Sequence, residues 1–195
     1  MSDANLKYPE RAYQGPLDLS EVRDLRPVHD FGSIRVPNRP DLSIRLEVDE
    51  ATGTVIAVAV DIAQSTVQLQ VFASARGEGL WAEIRAALAA SITEQGGRVT
   101  TQFGAFGEEL FAELSLSSQN GTNTSARHLK FIGIDGPRWF LRVMISGAAL
   151  MDSVAAGAVE DVIRGVVINR GEGAMPPREL LPLVMPPGAA ATGRS

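Results

Sequence analysis

The stretch Thr66-Val67-Gln68-Leu69-Gln70-Val71-Phe72-Ala73, followed at once by Glu78-Gly79-Leu80-Trp81-Ala82-Glu83-Ile84-Arg85, decides the fold class. Up to Ala73 the apolar residues fall at every second position: Val67, Leu69 and Val71 alternate with Gln68 and Gln70, the period of a half-buried strand. Beyond it the period changes. Leu80, Ile84, Leu88 and Ile92 recur every four residues with Glu83, Arg85 and Glu94 off the stripe, which predicts a helix over 78–95. Glu78 suits the positive end of its dipole, and Gly96-Gly97 offers a left-handed stop. A lone helix of this length is marginal in water, so its stripe must cover a face of the adjoining sheet.

Upstream, residues 43–48 place Ile44, Leu46 and Val48 on one face and Arg45 and Glu47 on the other. Asp49-Glu50-Ala51-Thr52-Gly53 supplies turn chemistry for a hairpin into 54–60, which is apolar on both faces and reads as a central strand. Downstream, 98–103 and 109–116 read as a strand pair around the Gly104-Ala105-Phe106-Gly107 bend. A polar loop, 117–126, leads to a strand at 127–134, and Asp135-Gly136-Pro137 turns it into 138–146. There Trp139, Leu141, Val143 and Ile145 alternate with Phe140, Arg142 and Met144. A second helix is expected over 152–164, capped by Asp152 and stopped by Gly165, with a last short strand at 166–168. The order is strands, helix, strands, helix, strand. It predicts an α+β fold: a mostly antiparallel sheet in two meander halves with two helices, one packed on a sheet face.

The chain has 195 residues, enough for one domain with tails. We read 1–27 as a flexible N-terminal segment, 28–174 as a single domain, and 175–195 as a proline-rich tail. Pro176, Pro177, Pro182, Pro186 and Pro187 block both helix and central strand. The interleaved Leu180, Leu181, Leu183, Val184 and Met185 point to an extended path over the domain surface. Hydrophobic content of 45%, charged content of 21% and a mean hydropathy of +0.04 are those of an ordinary globular protein. No signal-peptide pattern or long apolar window is present, so the expectation is a cytoplasmic protein without membrane contact. A balance of 18 basic and 23 acidic residues gives −5, which argues against a nucleic-acid partner.

Chemistry is sparse. The absence of cysteine excludes disulfides, thiol catalysis and a zinc ribbon. His29 and His128 are the only histidines and share no metal-ligand spacing, so no metal site is expected. No serine sits in a nucleophile elbow. Gly104-x-x-Gly107 runs into Glu108 and Glu109 where a phosphate cradle would carry lysine and a hydroxyl residue. No catalytic residue and no cofactor is therefore assigned. What stands out is large side chains beside arginine in two places, Gly79–Arg85 and Gly136–Arg142, which hold both tryptophans. Arg76, Trp81, Phe106, Arg138 and Trp139 are the candidate binding residues.

These segments carry a resemblance. The runs Val67-Gln68-Leu69-Gln70-Val71-Phe72-Ala73 and Gly79-Leu80-Trp81-Ala82-Glu83-Ile84-Arg85 resemble an uncharacterised actinobacterial family, domain of unknown function 3710. So do Gly107-Glu108-Glu109-Leu110, Gly133-Ile134-Asp135-Gly136-Pro137-Arg138-Trp139-Phe140-Leu141-Arg142 and Met175-Pro176-Pro177-Arg178, within a similarity spanning about residues 14–186. The resemblance implies a small cytosolic protein, often encoded near a dUTPase, and brings no catalytic residues with it.

Two functions fit these features. The first is a non-catalytic protein-interaction, chaperone-like or scaffolding module, binding a protein partner or a second copy of itself through a free sheet face or edge. The alternative is a small-molecule binder, nucleotide-related in one version, or an enzyme, with a pocket near 104–109. Its polar groups would be Glu108, Glu109, Arg138 and Gln70.

Overall fold

The structure, a computed structural model, describes residues 14–24, 26–117 and 124–186. Its strands are β1 (Leu17–Asp18), β2 (Val28–Asp30), β3 (Ile34–Pro37), β4 (Ser43–Asp49), β5 (Thr54–Ile62) and β6 (Ser65–Ala73), then helix α1 (Trp81–Glu94). After it come β7 (Arg98–Gly104), β8 (Gly107–Ser117), β9 (Thr124–Asp135), β10 (Trp139–Gly147), helix α2 (Ser153–Gly165) and β11 (Val167–Ile168).

Seven strands form one antiparallel sheet in the order β4-β5-β6-β10-β9-β8-β7. It consists of two meanders, β4-β5-β6 and β7-β8-β9-β10, joined where Phe72 pairs with Phe140 and Leu69 with Val143. The α+β class and the two halves agree with the sequence reading. The expected central strand, β5, is interior but lies next to the edge strand β4.

A single layer is too simple, however. A second, mixed sheet of four short strands, β1-β11-β3-β2, packs beside the first. These pieces are too short to show a period, and one of them, β11, comes from the far end of the domain.

The two helices cover opposite faces at opposite ends of the large sheet. On β10 the even residues Phe140 and Met144 face α1 with Phe131, Leu129, Leu110 and Ala112. The odd residues Trp139, Leu141, Val143 and Ile145 face α2, joining Val58, Val60, Leu69, Val71, Val159, Val162 and Ile163. Each half of the sheet thus has one covered face. The shared strand β10, buried on both sides, is why Trp139, Phe140 and Leu141 are all fully buried.

Helix α1 begins at Trp81 instead of Glu78 because its cap comes from elsewhere. The carboxylate of Asp135 accepts hydrogen bonds from the amides of Leu80 (2.8 Å) and Trp81 (3.5 Å), satisfying donors the helix itself cannot. Helix α2 is capped locally, Asp152 accepting from Ala155 at 2.8 Å.

The proline-rich segment runs extended, but it is built into the sheet and the core instead of lying over the domain surface. Strand β5 leaves β6 beyond the Val58–Leu69 pair, and residues 178–184 fill the gap. Ala73 donates to Glu179, Arg178 donates back to Ala73, and Leu181 donates to Val71. Further on, Val184 donates to Phe31 of the small sheet's β2–β3 connection. Leu181 and Leu183 are buried, and Pro182 falls where no amide donor is used. Residues 1–13 of the N-terminal segment and 187–195 of the tail lie outside the described residues, as does most of the loop expected at 117–126.

Candidate functional site

The candidate residues fall in separate places. Trp81 is buried against Gly133 and stacks on Phe140 at 6.3 Å, its indole N–H donating to the Glu108 carbonyl at 2.5 Å. Trp139 is fully buried on the opposite face and donates to Asp18 at 2.9 Å, tying the two sheets together. Both indoles are structural anchors, as the alternation at 139 and the stripe at 80–92 allow. Phe106 leans from the bend onto the main core with the Arg164 guanidinium 4.9 Å from its ring centre. Arg76 is exposed in the turn before α1.

Arg138 is half-buried and has a φ of +80°. It follows Pro137 in a two-residue turn closed by Gly136 N–H to Trp139 C=O, the place where glycine is the usual residue. Its left-handed backbone costs about 1 kcal/mol, partly offset by the greater unfolded-state freedom glycine would bring. We therefore expect Arg138→Gly to leave folding stability unchanged, or to raise it by up to about 1 kcal/mol. Urea unfolding checks this. A loss beyond that amount would mean that the arginine side chain holds the fold.

The four groups of the pocket alternative do not converge. Glu108 points to the α1 side, where it pairs with Arg85 at 2.6 Å. Glu109 points to the other side, 2% exposed, and pairs with Lys130 at 2.5 Å beneath Gly104. Gln70 accepts from Arg142 on the half of the sheet that α1 leaves open, and Arg138 stands at the end of β10. Cavities of about 540 Å³ and about 770 Å³ lie elsewhere, beside 40–43 and 61–66, and between the N-terminal segment and the small sheet. The larger is rimmed by Arg23, Arg26, Arg35 and Arg164. His29, in the small sheet, stacks on Phe31, whereas His128 sits opposite Glu113 on β9. Among the described residues no group of three or more His, Asp or Glu is placed to hold a metal ion.

Two surfaces remain. The open face over β4, β5, β6 and β10 is a ladder of cross-strand polar pairs: Arg45 with Asp61, Glu47 with Gln68, and Gln70 with Arg142. Hydrogen bonding to Arg45 holds the Asp61 carboxyl below its ordinary range. Burial lowers the pKa of the Arg142 guanidinium, which lies 5.5 Å from the Phe72 ring. This face is self-satisfied.

The second surface is the β7 edge, and the two edges of the large sheet differ sharply. On β4, Arg45, Glu47 and Asp49 guard the free backbone, and the neighbouring β5 carries a bulge, its extra residue Ile56 lying opposite Glu47/Val48. On β7 only Arg98 is charged, every residue except Val99 is exposed, and Phe103 is 86% exposed. Sequence reasoning offered a free edge without identifying the strand, since β7 becomes an edge only because β6 pairs with β10 and not with β7.

A family model described as "Protein of unknown function (DUF3710)" matches residues 15–192. None of the curated proteins matches the chain. No helix among the described residues is long and apolar enough to cross a membrane.

Proposed function

Because the chain belongs to the DUF3710 family, whose description assigns no activity, we propose from its geometry that it is a cytoplasmic, non-catalytic protein-interaction module. Its role is chaperone-like or scaffolding, and it offers the β7 edge and Phe103 to a protein partner. The observation that carries this reading is the contrast between the two sheet edges. One is guarded by charge, while the other leaves a strand of seven residues with a single charge and an exposed phenylalanine. An unguarded edge invites aggregation unless something pairs with it. Main-chain hydrogen bonds to an added strand, with specificity from alternate side chains, are a general mode of recognition.

The test is retention by the immobilised full chain from an extract of its native host, beside Phe103→Lys. A protein retained in stoichiometric amount by the parent chain and lost with the variant is the expected result. No retained protein, together with a tightly bound metabolite in the purified chain, would overturn it in favour of the small-molecule reading.

A further inference from the structure

The hydrogen-bonding parity of the sheet fixes which groups β7 turns outward. Gly136 and Trp139 form a hydrogen-bonded pair at the β9–β10 turn. In an antiparallel ladder such pairs alternate along each strand, and a residue directs both its N–H and its C=O to the same neighbour. Even-numbered residues of β9 therefore bond β10 and odd-numbered ones bond β8. Carried across the unbroken register, even-numbered residues of β8 bond β9 and odd-numbered ones bond β7. On β7 it is then Arg98, Thr100, Gln102 and Gly104 that bond β8, while Val99, Thr101 and Phe103 present their amides and carbonyls to the outside.

That outward set is symmetric about Thr101. We propose that the β7 edge pairs with the same edge of a second copy of this chain, antiparallel, about a two-fold axis midway between the two copies of Thr101. The inference rests on the interaction reading above and names its partner. In this register Thr101 opposes Thr101 of the second copy, and Val99 opposes Phe103. Every outward amide and carbonyl of the strand is used. Shifting the register by two residues either way leaves one outward residue without a counterpart in the strand.

The side chains agree. Val99 and Phe103 lie on the α1 side of the strand, so each exposed phenylalanine meets a β-branched residue of the other copy, a favourable cross-strand pair. Thr101 faces Thr101, Thr100 faces Gln102, and Arg98 faces Gly104, so no like charges oppose one another. The result is one continuous antiparallel sheet with both α1 helices on the same face, an isologous closed dimer.

The experiment is sedimentation equilibrium of the full chain from micromolar to submillimolar concentration, with amide hydrogen exchange at both ends of the range. The expected result is a reversible dimer of the 20.8 kDa chain. Exchange at Val99, Thr101 and Phe103 slows as concentration rises, whereas Thr100 and Gln102, already bonded to β8, do not change. Thr101→Pro, tolerated at an edge because the lost amide points away from β8, and Phe103→Lys should each weaken the dimer roughly tenfold or more.

A monomer throughout the range, or a dimer in which the outward amides stay fast, would overturn the proposal. So would a dimer that neither variant weakens. Should Thr101→Pro fail to fold, Phe103→Lys and the exchange pattern still decide. A monomer that retains a different protein through Phe103 would sink self-pairing and leave the interaction reading standing.

Discussion

Lys130→Ala is expected to lower folding stability by about 3–5 kcal/mol, read as a shift in the urea midpoint at constant slope. The ammonium of Lys130 lies 2.5 Å from a carboxylate that is only 2% exposed, and the other oxygen of that carboxylate has no hydrogen-bond partner. Gly104 closes over it: a Cβ added there would stand 2.2 Å from the Glu109 carboxyl carbon. Water therefore has little room to replace the lost cation. Removing the partner leaves a buried charge alone, whereas replacing the pair by apolar groups removes the penalty. Glu109→Leu with Lys130→Met should accordingly recover most of the loss. A single-variant cost below about 1 kcal/mol would show that the pair behaves as a surface ion pair.

Gly133→Ala is expected to cost about 1–3 kcal/mol through overpacking. A methyl at 133 would meet the Trp81 ring at 2.2–2.3 Å. The ring cannot easily give way, because its N–H is bonded to the Glu108 carbonyl and its face lies on Phe140. Displacing it also displaces the first turn of α1, whose amides rest on the Asp135 carboxylate. In a Trp81→Leu background the added cost of Gly133→Ala should fall below about 1 kcal/mol, so the two changes are strongly non-additive. A double-mutant cycle by urea unfolding reads this coupling. Additive costs would mean that the indole does not press on residue 133.

Much of the large sheet was legible in the sequence because burial on one face imposes alternation. Val67, Leu69 and Val71 show it, and so do Trp139, Leu141, Val143 and Ile145, which line the α2 side. The stripe Leu80, Ile84, Leu88, Ile92 likewise gave α1. Its first turn was not legible, since the cap is Asp135, a residue brought to it by folding. The small sheet was hidden for a similar reason: Leu17–Asp18 and Val167–Ile168 mean nothing until they lie side by side.

The site was less readable than the fold. Alternation places Glu109 and Lys130 on one face, but whether that face is dry depends on the fold-back of the Gly104–Gly107 bend. The free edge depends on strand order, which no local pattern encodes. The two tryptophans attracted attention by composition, and their burial reflects two covered faces of one strand pair.

The strap at 178–184 has a consequence for biosynthesis. Strand β6 is translated long before residues 178–184, yet Val71 and Ala73 find their outer backbone partners only there. A nascent chain halted after α2 would expose an open seam in the middle of its main sheet, with Leu181 and Leu183 missing from the core. Cotranslational folding can bring the helices and hairpins together early, but the seam closes last, and an interrupted chain is vulnerable to mispairing until it does.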